Sequence, residues 1–386
     1  MTAPTPPPIG PAERRARLDA LRALMESDGL AAVLLGATES LRYFTGLVWT
    51  PSERLTGAVV SASGGLAYLC PRFERDRVEQ AIGIAGEILT WEEHEDPARL
   101  VADLLGPVGR LGIDDQIPLF IYHNLVRAIP VERLADAGRP INRLRRCKSP
   151  AELALLARAK AITLAVQERA WRGLEAGMRR SDLVRLIDAA HRTLGAPDGS
   201  SFCLVSFGTD TALPHGGTAD RVLQAGDVVL VDTGCRIDGY HSDITRTYVF
   251  GDPTPQFRAI WQLELAAQQA AFQAARPGVP CEAVDAAARA CLAAAGLGPD
   301  YRLPGLPHRT GHGIGLDIHE APHLVRGETT ALAPGMCFSN EPMIVLPGQF
   351  GVRLEDHFYL TASGPRWFTP PAATLEAPFA NAPSFP

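Results

Sequence analysis

Residues 221–250 read RVLQAGDVVLVDTGCRIDGYHSDITRTYVF, and the stretch sets two acidic residues where a hydrophobic core belongs. Asp232 closes the apolar run Val228-Val229-Leu230-Val231, and Asp243 opens the β-rich run Ile244 to Phe250, with the turn formers Asp238-Gly239 between them. Side chains alternate faces along a strand, so an odd separation of eleven positions across an even-length turn puts both carboxylates on one face. Like charges placed as cross-strand or diagonal neighbours repel, and a fold that keeps them together needs a cation between them. Oxygen ligands point to a hard or borderline divalent metal. Taken alone, Asp232 also suits a turn cap and Asp243 a solvated edge, because acidic turn residues are common. Three further stretches bear on the choice.

The first is PHRTGHGIGLDIHE, residues 307–320, where glycines crowd His312. Glycine is what remains when a Cβ does not fit, so the backbone passes close to something there. An imidazole at that point can ligate a borderline metal, although a lone histidine in a glycine-rich loop is more often structural. The other two are Ser339-Asn340-Glu341-Pro342-Met343 and Gly351-Val352-Arg353-Leu354-Glu355-Asp356, on apolar runs joined by Leu346-Pro347-Gly348-Gln349. A three-residue turn centred on Gly348 pairs Glu341 directly opposite Glu355, facing the same way. Two hairpins, each offering two carboxylates on one face, plus one histidine make a site for two divalent cations. Without metal, four carboxylates carry a charge no interior tolerates.

The chain around these stretches is 386 residues long, enough for two domains, with 46% hydrophobic and 21% charged residues. A net charge of −6 gives no support to nucleic acid or an anionic membrane as a partner. The opening MTAPTPPPIGPAERR lacks an apolar signal region and no run approaches a membrane span, so a cytoplasmic location is expected. Seven scattered cysteines, odd in number and without a C-x-x-C, point to buried free thiols. Residues 1–145 read as an α/β domain: helices are expected over 11–28, 75–82 and 97–105, and short strands over 31–35, 57–60, 66–69 and 111–114. Lys148-Ser149-Pro150-Ala151-Glu152 is a capping box that opens a long helix to about Leu174, followed by a helix from Arg180 to Leu194 capped by Ser181. Alanine-rich helices over 256–275 and 281–295 flank the breaker Arg276-Pro277-Gly278. Pairs of helices alternating with hairpins over 146–370 give an α+β domain with an antiparallel sheet, loosely two-fold, before a Pro/Ala-rich tail at 371–386.

The set of residues resembles the pita-bread metallopeptidases, the family of methionine aminopeptidase, aminopeptidase P and prolidase. The strings VDTG, SDITRT, TGHGIG, NEP and VRLED match its motifs, and positions 232, 243, 312, 341 and 355 follow its Asp, Asp, His, Glu, Glu ligand order. Leu41 to Leu47 also resembles the start of the creatinase-type N-terminal domain of its proline-peptide branch, so the likeness covers nearly the whole chain. The resemblance implies that Asp232, Asp243, His312, Glu341 and Glu355 hold two metal ions, with Asp243 and Glu355 bridging both. It implies water activated between the ions as the nucleophile, with Glu341 relaying its proton. His215 and His319 match the histidines that touch the substrate and stabilise the tetrahedral intermediate, Arg353 steadies the acidic cluster, and His308 lines the proline pocket.

Within that family, the first 145 residues argue against methionine aminopeptidase, and the complete ligand set argues against creatinase. What is expected is hydrolysis of the bond before a second-position proline: an Xaa-Pro dipeptidase (prolidase) first, with aminopeptidase P on longer peptides as the alternative. A non-catalytic binding protein on the same fold and a hydrolase of another small amide are the remaining readings. Arg54, in the long tract Gly46 to Thr56, is the candidate for recognising the free carboxylate of a dipeptide, in its own or a partner subunit's site, and could equally be a solvated loop arginine beside Glu53. Manganese is the expected metal, with cobalt or zinc as alternatives, and a homodimer is the expected assembly.

Overall fold

The fold is seen in a computed structural model that describes residues 6–382; residues 1–5 of the proline-rich opening and 383–386 of the tail lie outside the described residues. The chain divides into two compact units, Ile9–Arg145 and the remainder from Arg146 onward together with the residues preceding Ile9.

In the first unit a mixed sheet runs in the order Glu87–Trp91, Leu66–Pro71, Gly57–Ser61, Ala32–Leu35, Leu111–Ile113, Leu134–Asp136. Ala32–Leu35 lies near its middle, antiparallel to Gly57–Ser61 and parallel to Leu111–Ile113. All four of its residues are buried, which is why it reads as an unbroken apolar run rather than an alternating one. Helices Pro11–Asp28, Arg75–Ala81 and Pro97–Leu105 fall where the apolar spacing puts them. Glu39–Thr45, Leu119–Ala128 and Gly138–Arg145 are further helices with weaker sequence signals.

The second unit opens with the helix Pro150–Arg172. Its capping box forms in full: the Ser149 hydroxyl accepts from the Glu152 N–H at 3.3 Å, and the Glu152 carboxylate accepts from the Ser149 N–H at 2.9 Å. The next helix, Arg180–Thr193, is not capped by Ser181. It starts two residues earlier than a Ser181 cap requires, with Arg179 at the cap position, and the Asp182 carboxylate accepts from the Arg179 N–H at 3.0 Å. Ser181 is instead inside the first turn, donating its N–H and hydroxyl to Asp220. Helices Pro255–Ala274 and Cys281–Ala294 pack on each other over an apolar core that includes Trp261, Val284, Phe338, Ile344 and Phe358.

Two antiparallel sheets carry the acidic hairpins. In one, Val228–Gly234 lies between Phe202–Phe207 and Ile244–Val249. Asp232 pairs with Thr245, and Ile237 with Tyr240, which is one continuous register around Asp238-Gly239. Both turn residues have positive φ, 45° and 82°, as the two-residue hairpin turn requires. In that register Asp243 falls opposite Gly234, so the two aspartates are diagonal neighbours on one face. The other hairpin is interrupted. Cys337–Asn340 pairs with Asp356–Thr361 and Met343–Leu346 with Phe350–Arg353, again in a single register around the turn at Gly348. Glu341 and Glu355 face each other in the interruption.

All seven cysteines are free; Cys147 is exposed, however, and only Cys70, Cys235, Cys281 and Cys337 are fully buried. Within the 371–386 segment, Phe379 packs against Leu164 and Ile244, its ring 5.8 Å from that of Trp171. Among the described residues, no helix is long and apolar enough to cross a membrane.

His191, fully buried in the Arg180–Thr193 helix, places its ring nitrogens 3.0 Å from the Thr163 hydroxyl and 2.9 Å from that of Ser200. Burial pushes its pKa down to about 4. An unfolded-state histidine protonates near pH ~6.5, so this group's contribution is intact above that value and is lost as the pH falls towards the folded value. With chelator present throughout, Tm should drop more steeply between about pH 7 and pH 4.5 for the parent than for His191→Gln; parallel profiles would remove His191 from the acid response.

Candidate metal centre

Each hairpin delivers its carboxylates to the same buried space. Ligand atoms of Asp232, Asp243 and Glu355 lie within 4.8 Å of one another, and so do those of His312, Glu341 and Glu355. Glu355 belongs to both groups, so the five residues form two adjoining nests of oxygen and nitrogen donors. A third group joins Asp243 and His312 to His319, whose ring stands edge-on to that of His312 at 4.2 Å.

His312 sits on the short strand Gly311–Gly313, held from behind by the Ser339 hydroxyl, which accepts its N–H at 2.9 Å. Its Nδ1 lies 2.9 Å from the Gly313 carbonyl, which can only accept, so Nδ1 carries a hydrogen and Nε2 points at the acids. Nε2 is 3.1 Å from Glu341 Oε1 and 3.8 Å from Asp243 Oδ2. The flanking glycines are sterically required: a Cβ at Gly311 or Gly313 would lie 2.1 Å from the Ser339 carbonyl oxygen or 2.4 Å from that of Glu320.

Three of the four acids are individually pinned. Thr245 donates its hydroxyl to Glu355 Oε2 at 2.8 Å, and Ser339 donates to Glu341 Oε1 at 3.1 Å. Arg353 pairs with Asp232 and donates to the Thr245 hydroxyl at 3.1 Å and the Pro214 carbonyl at 3.2 Å. One oxygen each of Asp232, Asp243 and Glu355 remains buried with no hydrogen-bond partner. Burial, reinforced by the neighbouring carboxylates, pushes the Asp243 and Glu355 carboxyls well above the usual range. Burial also works against the charge of Glu341, but the hydrogen bond and charge of His312 outweigh it and hold that carboxyl low. Such a set is unstable as bare anions and suits cations: hard oxygen donors with free lone pairs plus one imidazole fit two divalent ions.

The remaining predicted residues are placed as follows. His319 is exposed at the edge of the nest. His308 is half-buried; its Nδ1 meets the Arg309 carbonyl at 2.7 Å, its Nε2 is buried without a partner, and burial holds it below the usual imidazole value. His215 is exposed and follows Pro214, whose carbonyl Arg353 grips. Arg54 lies in the other unit, its guanidinium engaged by both Glu93 oxygens at 2.9 Å and paired with Glu53.

Sequence reasoning missed the supports. Arg246 and Asp356 form a fully buried bidentate pair at 3.1 and 2.7 Å, and Arg246 also donates to the Glu355 carbonyl at 2.9 Å, tying one hairpin to the other. Each residue adjoins or nearly adjoins a predicted ligand, and an arginine inside the β-rich run was the available signal. Thr245 and Ser339, both fully buried, were likewise inside quoted motifs.

With this geometry in place, most of the chain matches known families. A creatinase/prolidase N-terminal domain matches residues 17–147 and metallopeptidase family M24 matches residues 154–362. The chain belongs to metallopeptidase family M24: it is a metal-dependent peptidase with the pita-bread fold, of a family whose centre takes two divalent ions. It is 39% identical over 359 residues to probable dipeptidase PepE of Mycobacterium tuberculosis, covering 92% of this chain and 94% of that one. The crystal structure of dipeptidase PepE from Mycobacterium ulcerans is similar with a TM-score of 0.89 and 36% identity, covering 96% and 99% of the two chains. An Xaa-Pro dipeptidase from Bacillus anthracis is similar at a TM-score of 0.82 and 28% identity, covering 92% and 97%.

Removing Glu355, the donor shared by both nests, or Asp243, which lies near His312 as well as in the first nest, should empty the centre. Glu355→Gln and Asp243→Asn are each expected to lower bound divalent metal per chain, measured by equilibrium dialysis and elemental analysis, with peptidase activity falling at least about a hundredfold. Two ions retained by either variant would count against these residues as ligands.

Proposed function

We propose that the chain is an Xaa-Pro dipeptidase, cleaving the amide between any first residue and a proline that carries the free carboxylate. The observation that supports the reading is the complete set of five donors in one buried space, on a chain whose full-length relatives are named dipeptidases and whose N-terminal unit matches a prolidase-type domain. Aminopeptidase P activity on longer peptides is the alternative. The relatives that are 36–39% identical are called dipeptidases with no mention of proline, and this favours a second reading, a dipeptidase of wider specificity.

In this reading Asp232, Asp243, His312, Glu341 and Glu355 hold two divalent ions, manganese first and cobalt or zinc as alternatives. Ions bound there polarise the scissile carbonyl and activate water as the nucleophile. Glu341, pinned by the Ser339 hydroxyl, takes the proton of the attacking water and passes it to the departing proline nitrogen. His319 and His215 donate to the oxygen that becomes negative in the tetrahedral intermediate. Arg353 keeps Asp232 oriented, and His308 lines the proline ring. Arg54 is the proposed carboxylate anchor. Its pairing with Glu93 is solvent-exposed and contributes little, so a substrate carboxylate can displace it. A homodimer in the cytoplasm is the expected working form.

The test is a panel of Ala-Pro, Ala-Pro-Ala and Ala-Ala with added manganese, scored for release of the first residue. Ala-Pro should be cleaved with the highest kcat/KM, and Arg54→Ala should lower that value about tenfold while sparing Ala-Pro-amide. Preference for Ala-Pro-Ala assigns an aminopeptidase; equal turnover of Ala-Ala ends the proline reading; an unchanged dipeptide preference in the variant ends the role of Arg54.

A further inference from the structure

Two helices each turn a row of buried side chains onto an acidic hairpin. On Pro150–Arg172 the row is Lys160, Thr163 and Gln167; on Pro255–Ala274 it is Trp261, Glu264 and Gln268, with the same spacing of three and then four positions. That spacing keeps each row on one helix face, and all six side chains are buried. The rows engage the hairpin strands, mostly through backbone carbonyls. Lys160 donates to the His241 carbonyl at 3.0 Å, Thr163 meets the Ser242 hydroxyl at 2.7 Å, and Trp261 donates to the Thr247 carbonyl at 3.0 Å.

The glutamines do the same thing twice. Gln167 Nε2 donates to the Val231 carbonyl at 3.0 Å and the Ile244 carbonyl at 2.7 Å, one on each strand of the first hairpin. Gln268 Nε2 donates to the Asn340 carbonyl at 3.3 Å and the Leu354 carbonyl at 3.0 Å, one on each side of the second, and also approaches Asp356 at 3.1 Å. The four carbonyls belong to the residues next in sequence to Asp232, Asp243, Glu341 and Glu355. A carboxamide nitrogen carries two hydrogens, so a single rigid group spans both strands at the level of the carboxylates. In the second hairpin this is also where strand pairing gives out, since Glu341 and Glu355 lie between the paired segments; in the first, Asp232 pairs with Thr245 and Asp243 lies just beyond the last pair, Thr233 with Ile244.

We propose that Gln167 and Gln268 are positioning residues, one per hairpin, that fix the separation of the two strands and thereby of the carboxylates that share a cation. The proposal rests on the metal-centre reading. Neither glutamine touches a metal ligand's side chain; each acts through the neighbouring peptide groups. Past the last pair of the first hairpin and in the gap of the second, the strands are otherwise free to splay, and the nest would open by a fraction of an ångström, enough to weaken cation binding without dismantling the fold.

The experiment measures Mn²⁺ affinity of the full chain, by competition with a fluorescent chelator, for the parent, Gln167→Met, Gln268→Met and the core control Leu156→Ala, together with Tm of the metal-free proteins. Each glutamine variant should bind Mn²⁺ about ten- to a hundredfold more weakly, the range over which groups behind a ligand act. KM for the dipeptide should stay unchanged and kcat should return at saturating Mn²⁺. Leu156, buried on the same helix, lowers Tm without touching a hairpin carbonyl and should leave Mn²⁺ affinity within about twofold of the parent. Glutamine variants that bind Mn²⁺ as tightly as the parent, or lose no more affinity than the leucine control does, overturn the clamps alone. A parent that binds no Mn²⁺ overturns the centre and the clamps with it. The two helices supply independent copies, so one variant that fails to fold leaves the other to decide.

Discussion

Mutual repulsion among four closely set carboxylates, two of them buried, governs this molecule. Asp232, Asp243, Glu341 and Glu355 could each be solvated singly at low cost; once they are gathered together, burial and the neighbouring charges push the Asp243 and Glu355 carboxyls well above their usual range. Every nearby structural choice answers that problem. Arg353 supplies one fixed positive charge, threonine and serine hydroxyls occupy one lone pair each on Glu355 and Glu341, and the lone pairs left over face a common space.

Register is the means by which the chain brings the acids together. A slip of one residue in either hairpin would send its carboxylates to the opposite face, so the turns carry a functional burden. Asp238 and Gly239 adopt the two positive φ values that lock the first hairpin, and Gly348 does so at 73° in the second. In both the register is continuous, but the ladder stops just short of Asp243 in the first hairpin and lapses at Glu341 and Glu355 in the second. The interruption frees those residues to aim their side chains inward and shifts the task of holding the strands to groups outside the sheet.

This division explains what could be read from the sequence. The hairpins, their turn residues and the shared face of each acidic pair follow from alternation and turn chemistry, which are local, and the capping box at Ser149 to Glu152 is equally local. His312 was legible because a Cβ at either adjacent glycine would strike backbone. The Arg180–Thr193 cap was misread because Asp182 and Ser181 both suit a first turn and only the tertiary contact of Ser181 with Asp220 separates them. Gln167 and Gln268 look like ordinary polar positions in alanine-rich helices; nothing short of the packed structure distinguishes a buried glutamine from a solvated one. Arg246 and Asp356 hid for a related reason, since their pairing joins segments 110 residues apart.

The choice of glutamine at those two positions follows from the charge balance. Four carboxylates against the Arg353 guanidinium leave three negative charges when all are ionised, a deficit that divalent cations are suited to fill. Arg246 adds nothing to the balance because Asp356 cancels it within the same bidentate pair. A lysine or arginine in place of either glutamine would introduce a further cation behind the ligands, competing for the same negative potential. A neutral carboxamide joins two carbonyls across the strand gap and leaves the field of the acids directed at the metal. Lys160, the one cation in the helix row, conforms to the same rule: burial presses it down to about 7, so its hold on the His241 carbonyl comes with a weakened commitment to positive charge.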